Sequence, residues 1–429
     1  MENIPYGPAA LTLAAVVPAT VLGRRAARLL RQPGIVGEIM ACLLAGGLLA
    51  AALGPWPHDV EGWRLLETVG HLGLALFLVK AVHEIRGGAA GRQSGRALLW
   101  TAAGSALLPM ACGALFALWV LNSGDPALQG DAPAGVLVLM LAISLAVTAV
   151  PVLAGILEDR DLQHTPTGRL AMAVAVTIDA VTWGLLAIAV GIASGGGRMT
   201  PCAVFVAGLL LSWAVRCAAG SGPARAWAAR VGPAVPVAVT AVLAAGTALG
   251  TARLGLTDVL GAVLVALALP ADGEDGAWTR AARTVGGWGR AALPLLFTVT
   301  GVSLGAAPLG TFSGVAVLLA LVLAMAGKLV GSYLGAWLGG RPRRTRLQLA
   351  ALLNARGLTE IAVLQVGYQA GILTPALYLA LVVMALVTTV LSGPLLWAID
   401  RRVPAATVAG APPATRTGGE TRGRHLNPR

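Results

Sequence analysis

Long apolar stretches, separated by short polar segments, recur along nearly the whole chain. Each stretch is roughly 18 to 25 residues long, which suffices to cross a hydrocarbon core of about 30 Å as a helix. The pattern therefore predicts about thirteen membrane-spanning helices. They are expected at 7–23, 35–54, 65–82, 97–121, 133–157, 168–193, 200–219, 234–250, 255–270, 291–307, 312–338, 347–370 and 374–398. Only the residues from Thr251 to Leu254 separate the eighth span from the ninth. If these two spans were one, the orientation of every later span would be reversed.

Two of the predicted spans contain residues that would interrupt a continuous helix. A proline inside a helix removes one hydrogen bond and crowds another. A run of polar and charged groups in an apolar span is typical of an interrupted helix that lines a cavity. The candidates are Ser144, Thr148 and Pro151 in the fifth span, and Asn354, Arg356 and Glu360 in the twelfth.

The positions of these two spans suggest an internal repeat. If spans 1 to 6 repeat as spans 8 to 13, the fifth span corresponds to the twelfth, and the seventh is a linker that inverts the second copy. Interrupted helices in corresponding positions of two halves indicate an ion site near the middle of the membrane. We therefore expect an all-α membrane protein built from two inverted six-helix repeats.

Composition agrees with lipid as the solvent of this chain. It is 57% hydrophobic and 12% charged, with a mean hydropathy of +0.78, far from the range of ordinary soluble domains. No soluble domain fits between the spans. The start of the chain carries Glu2 and no basic residue, so we expect the first span to be retained rather than cleaved as a signal peptide.

In a soluble protein the net charge of +12 would suggest nucleic acid as a partner. In this chain the positions of the basic residues instead indicate how the spans are oriented in the membrane. Most Lys and Arg residues follow odd-numbered spans or lie in the tail, whereas only Arg64, Arg198 and Arg253 follow even-numbered ones. By the positive-inside rule, the amino terminus lies outside and the tail lies in the cytoplasm. Residues 401–429 form that tail, which is disordered by composition. We expect a bacterial inner membrane and no nucleic-acid partner.

Asp179 is the acid that most requires a functional explanation. It lies in the middle of the sixth span, too far from either interface for its side chain to reach water. Burial favours the neutral form of a carboxyl group, whereas a bound cation or positive neighbour favours the charged form. One carboxylate in this position can therefore hold either a proton or a metal ion.

Other charged residues have simpler explanations or supporting roles. Lys328 is central in the eleventh span and is the natural counter-charge to Asp179. Lys80 lies near a span end, where a lysine can extend to the interface, and Glu67, Glu84 and Asp258 are also expected to be interfacial charges. The four cysteines form no CxxC pair and indicate neither disulfides nor a zinc site. No cofactor is expected.

Five sequence blocks together resemble the membrane domain of monovalent cation:proton antiporters of the second bacterial branch, which is related to sodium/proton exchangers and Kef-type potassium/proton systems. They are RQPGIVGEIMACLLAGGLL (31–49), SLAVTAVPVLAGILEDRDL (144–162), GRLAMAVAVTIDAVTW (168–183), GKLVGSYLGAWLGG (327–340) and LNARGLTEIAVLQVGYQAGIL (353–373), the last continuing into VMALVTTVLSGPLL (383–396).

This resemblance implies a homodimer in which each protomer has a scaffold and a transporting core. Carried over, the scaffold covers roughly 7–85 and 234–307, the core covers roughly 97–193 and 312–398, and 200–219 is the linker helix. The fifth and twelfth spans become the crossed broken helices, beside the ion-binding aspartate Asp179. Lys328 becomes the lysine that faces the site.

The chain departs from the family pattern at two positions. Electrogenic members carry two adjacent acids where this chain has Ile178 and Asp179, so the carboxylate that would normally pair with Lys328 is absent. Lys80 stands in FLVKAVHEI, where relatives usually have glycine in an FLVGLE-like block. These departures leave open altered ion choice or impaired transport.

The sequence thus predicts a secondary transporter, not an enzyme, that exchanges H⁺ for Na⁺ or K⁺ by elevator-type movement, with Asp179 and Thr148 binding the ion. One titrating acid implies electroneutral exchange of one proton for one cation. Two alternatives are a proton-coupled carrier of an organic solute on the same fold and an intramembrane enzyme that uses Asp179 or Glu360 as acid or base. The choice between Na⁺ and K⁺ depends on the number and field of the coordinating oxygens, which the sequence leaves open.

Overall fold

Helices form all the regular structure in the residues described by the computed structural model, which are 7–30, 32–53, 61–87, 95–193, 200–221, 230–254, 258–270, 272–273, 276–306 and 313–402. In chain order the helices are α1 (Gly7–Leu29), α2 (Gly34–Leu53), α3 (Glu61–Gly87), α4 (Gly95–Asn122), α5 (Pro126–Gln129), α6 (Ala134–Ala146), α7 (Val150–Asp159), α8 (Pro166–Ala193), α9 (Thr200–Ala219), α10 (Ala234–Arg253), α11 (Asp258–Ala268), α12 (Ala277–Ala306), α13 (Gly314–Leu338), α14 (Arg343–Leu353), α15 (Leu358–Gln369) and α16 (Pro375–Arg402).

Each predicted span coincides with a helix or with a pair of half-helices. Within the described ranges, nine helical segments are long and apolar enough to cross a membrane, and one of these comprises α6 and α7 together. The exact number of crossings stays a prediction, since α11 has only 11 residues. Most of the predicted tail, 403–429, lies outside the described residues.

Several helices are longer than predicted, and the largest difference is at the start of α12. Helix α12 begins at Ala277, well before the expected start at 291, and includes the arginines that were assigned to a loop. It continues because Trp278, Ala281, Ala282 and Val285 are buried, which gives this stretch an apolar face at helical spacing. The sequence analysis also missed the short helix α5, which Asp125 caps by accepting a hydrogen bond from the Ala127 amide.

The fifth and twelfth predicted spans are both broken. Residues 147–149 separate α6 from α7, and residues 354–357 separate α14 from α15. Pro151 lies in the first turn of α7, where its missing amide hydrogen costs no helical hydrogen bond. Pro151 therefore starts the second half-helix rather than kinking a continuous one.

Helices in corresponding positions of the two repeats pack against each other in pairs. Helix α3 packs along α12, and α4 packs along α13. Glycines bring the second pair into backbone contact, because a Cβ atom added at Gly104 would meet the carbonyl of Gly331 and the backbone of Gly335. Gly289 of α12 likewise faces the backbone of α3 at Gly73. Close approach of this kind is typical of small residues between membrane helices.

The remaining contacts extend these pairs into two helix groups. Helices α1, α2, α10 and α11 pack with α3 and α12, whereas α6, α14 and α16 pack with α4 and α13. The half-helix α7 lies between the groups, since it contacts α2 and α3 on one side and α8, α14 and α15 on the other.

Candidate functional site

The two helix breaks lie side by side. The Ala149 amide donates a hydrogen bond to the Ala355 carbonyl at 3.2 Å, joining the break in the fifth span to the break in the twelfth. Gly357 precedes α15 with a φ of 151°, a value that favours glycine. A Cβ atom at this position would also lie 2.7 Å from Cγ2 of Val152 in α7. The chain therefore requires glycine here to bring the two breaks together.

Two buried cations cap the carboxyl end of α6. Arg356 donates to the carbonyls of Ser144, at 2.9 Å, and Leu145. The ammonium group of Lys328 donates to the carbonyl of Ala146 and, at 3.1 Å, to that of Ser105 in α4. The last carbonyls of a helix have no partner within it and carry a partial negative charge. Arg356 and Lys328 supply both the donors and the opposite charge.

Glu360 neutralises Arg356. Its Oε1 atom accepts from the Arg356 guanidinium at 2.7 Å, and both side chains are fully buried. Glu360 lies in the first turn of α15, where the helix dipole favours an anion. Thr389 of α16 donates to the Arg356 carbonyl at 2.8 Å and so fixes the connecting segment. This pair is a structural part of the crossing.

The carboxylate of Asp179 lacks such partners. The residue lies on α8, which packs against α6, α7 and α14, and only 4% of its surface is exposed. Neither oxygen has a hydrogen-bond donor among the residues that the structure describes. A buried carboxylate without donors is costly unless it is protonated or binds a cation. Asp179 is therefore available to a small positive ligand.

Neutral oxygens in the broken-helix segments are also available. The Thr148 hydroxyl, the Asn354 carbonyl oxygen and the Thr359 hydroxyl are buried and have no hydrogen-bond partner in the described part of the chain. Hydroxyl and carbonyl oxygens suit hard cations. Within the same residues, no cluster of three His, Cys, Asp or Glu side chains occurs. One carboxylate with neutral oxygens suits a weakly held monovalent cation.

The structure assigns more specific contacts to several predicted residues. Lys328 is close enough to Asp179 for an electrostatic interaction, but its ammonium group hydrogen-bonds carbonyl oxygens rather than the carboxylate. The Ser144 hydroxyl donates back to Met140 within α6 at 2.8 Å, so Ser144 contributes through its backbone carbonyl.

Thr359 is not among the predicted ion-binding residues, although it lies inside the polar run from Asn354 to Glu360 that predicts the helix break. The interfacial position of Lys80 stays a prediction; its half-buried side chain forms an ion pair with Glu158 at 2.9 Å, a contact that the sequence does not indicate. Glu67 is half-buried on α3, while the side chains of Glu84 and Asp258 lie outside the described part of the structure.

Comparisons with known sequences place these features in a wider group. The family model described as sodium/hydrogen exchanger, transmembrane, matches residues 12–399. Cation/H(+) antiporter 20 of Arabidopsis thaliana is 31% identical over an alignment of 398 positions that covers 86% of this chain and 46% of that protein. Na(+)/H(+) antiporter NhaS4 of Synechocystis is 25% identical over 377 residues, or 85% of this chain and 90% of that protein. The chain thus spans about half the length of the plant relative.

Solved structures give the same result for the fold. The sodium proton antiporter MjNhaP1 from Methanocaldococcus jannaschii aligns with 93% of this chain and all of its own, with a TM-score of 0.59 and 16% identity. An electron-microscopy structure of the same antiporter covers 94% of this chain with a TM-score of 0.63 and 14% identity. These similarities confirm the predicted all-α antiporter fold.

Proposed function

The chain belongs to the sodium/hydrogen exchanger family, and on that premise we propose that it exchanges protons for a monovalent cation across a membrane. Its relatives carry the names of cation/H(+) and Na(+)/H(+) antiporters, which favours a transporter over an enzyme. The observation that carries the proposal is the Asp179 carboxylate, which is buried and has no donor for either oxygen.

Asp179 binds either a proton or the cation. When the carboxyl group is protonated, the buried site is neutral and no cation is held. Once the proton leaves, the charge in a low-dielectric setting must be compensated, and Na⁺ or K⁺ supplies the compensation with help from the Thr148 hydroxyl. The two positive ligands compete for the same oxygens, so the site never carries both.

The neighbouring charges hold the site in place. Lys328 and Arg356 bind the carbonyls at the end of α6 and thereby position the segment that carries Thr148. Arg356 is paired with Glu360, which leaves Asp179 as the one exchanging acid. Ile178 supplies no second carboxylate, so one proton exchanges for one cation and the cycle is electroneutral.

Alternating access follows from movement between the two helix groups. We assign residues roughly 7–85 and 234–307 to a scaffold and roughly 97–193 and 312–398 to a core, with 200–219 as linker. The core carries Asp179 and moves like an elevator past the scaffold of a homodimer. In a bacterial inner membrane the charge bias favours an external amino terminus and a cytoplasmic tail.

Reconstituted vesicles test the exchange directly. With an acid interior and a trapped pH-sensitive dye, external Na⁺, K⁺ or Li⁺ should drive proton efflux, and the panel of salts identifies the cation. Asp179→Asn should abolish the response while the protein elutes as a folded species. Asp131→Asn, which changes an exposed acid in the same way, should leave the response intact. Full activity of Asp179→Asn would remove this residue from the mechanism.

A second measurement tests the stoichiometry. A potassium-free vesicle carrying only a membrane potential should show no proton movement through the protein, because one charge enters for each that leaves. Proton flux driven by voltage alone would refute one-for-one exchange while leaving the role of Asp179 open to the first experiment.

A further inference from the structure

A cluster of ion pairs outside the helix crossing joins α1, α2, α3, α7 and α12. Lys80 of α3 pairs with Glu158 of α7 at 2.9 Å, and Arg290 of α12 approaches the same carboxylate at 3.9 Å. Glu38 of α2 is fully buried and pairs with Arg24 at 2.7 Å and with Arg290 at 3.5 Å. The cluster thus connects four helices of one group to the half-helix α7.

Two further bonds join the same surfaces. Asp159, which follows Glu158 at the end of α7, accepts from the Ile35 amide in the first turn of α2 at 2.8 Å. Gln32 donates to the Val390 carbonyl of α16 at 3.2 Å. The first bond joins α2 to the half-helix α7, and the second joins the segment before α2 to the group that contains α16. Side-chain hydrogen bonds therefore connect the start of α2 to α7 and to the group that contains α16.

The position of Lys80 is shaped by its neighbours. Gly286 of α12 faces the Lys80 side chain so closely that a Cβ atom there would meet Cβ, Cγ and Cδ of the lysine. The aliphatic part of Lys80 is thus held against α12, and the ammonium group reaches α7. Its side chain is 24% exposed and that of Glu158 is 36% exposed, so water screens this pair only in part.

We propose that the Lys80–Glu158 pair is a latch that holds α7 against α3 and retards the departure of the core from the arrangement seen here. Its effect on transport rests on the proposed function, in which the core moves past the scaffold. Each cycle must break the bond between Lys80 and Glu158, because the two residues belong to different groups. Arg24 and Glu38 both belong to the scaffold, so their pair stays intact through the cycle.

Turnover in proteoliposomes tests the latch. Lys80→Gln and Glu158→Gln should each raise the maximal exchange rate about fivefold, as expected for a partly screened pair that opposes the movement. The double variant should be no faster than Glu158→Gln, since that change alone already removes the bond between Lys80 and Glu158. Lys80→Arg, which keeps the charge, should behave as the parent protein. Arg24→Gln breaks a pair inside the scaffold and should also leave the rate unchanged.

A distance measurement separates this proposal from the exchanger proposal. Spin labels are attached at His164, after α7, and at Leu29, at the end of α1, with the native cysteines replaced by serine. Both positions are exposed. Lys80→Gln should add a second distance population, whereas Arg24→Gln should reproduce the parent distribution.

Each outcome bears on one proposal. A second population in Lys80→Gln supports the latch even if neither this variant nor the parent exchanges ions, a result that would refute only the proposed function. Superimposable distance distributions would overturn the latch. If the parent protein exchanges ions, exchange rates in Lys80→Gln and Glu158→Gln equal to or below the parent rate would also overturn it.

Discussion

Replacing Arg356 with methionine should destabilise the protein more than replacing both Arg356 and Glu360. The single variant removes two hydrogen bonds to the α6 carbonyls and leaves the Glu360 carboxylate buried without its partner. Breaking one partner of a buried ion pair costs about 3 to 5 kcal/mol. Adding Glu360→Gln removes the uncompensated charge and keeps the side-chain shape. It should recover about 2 kcal/mol, because the carbonyl bonds are still lost.

The free energy of unfolding can be measured by SDS titration of the protein in mixed micelles, with circular dichroism as the readout. Four proteins form a double-mutant cycle: the parent, Arg356→Met, Glu360→Gln and the double variant. The coupling energy between the two positions should exceed about 2 kcal/mol, because the double variant recovers about 2 kcal/mol relative to Arg356→Met and Glu360→Gln alone is itself destabilising. A double variant that is as unstable as the sum of the single changes would refute the assignment of Glu360 as the charge partner of Arg356.

Three further predictions concern the crossing. Gly357→Ala should lower the unfolding free energy by about 1 to 3 kcal/mol, because alanine strains the positive φ, whereas Gly246→Ala, in open space on α10, should not destabilise the protein in the same titration. Thr148→Val should raise the half-saturating cation concentration in vesicles about tenfold, because one oxygen ligand is lost, and should change the maximal rate little. An unchanged half-saturating concentration would exclude Thr148 from the site. Lys328→Met should reduce the maximal exchange rate at least tenfold, because the Ala146 carbonyl at the end of α6 loses its donor. Lys328→Arg should retain part of the parent rate. Equal activity of the two variants would contradict a positioning role for Lys328.

Both helix breaks could be predicted because the local sequence contains their cause. Pro151 and the polar run from Asn354 to Glu360 are incompatible with a continuous apolar helix. Asp179 was equally visible, since a carboxyl group in the middle of an apolar span requires an explanation. In these places one segment of sequence determines the local structure.

The misassigned features depend on residues distant in sequence. Helix α12 extends to Ala277 because its first turns pack against α3, and the arginines there obscure the apolar face. The partner of Lys80 is Glu158, 78 positions away. The hydrophobic pattern of neither helix indicates that these two residues are in contact. Glu38 lies in a predicted apolar span, and its two arginine partners come from α1 and α12, which are distant in sequence.

The glycine contacts between α4 and α13, and between α3 and α12, leave these paired helices no room to slide past each other. A displacement of one group relative to the other is bounded by the number of residues that join them, for example between Ala306 of α12 and Ser313 before α13. From residue 306 to residue 313, a fully extended chain reaches roughly 25 Å. The length of the chain that joins the two groups therefore limits how far the ion can be carried in one movement of the core, whatever gradient drives it.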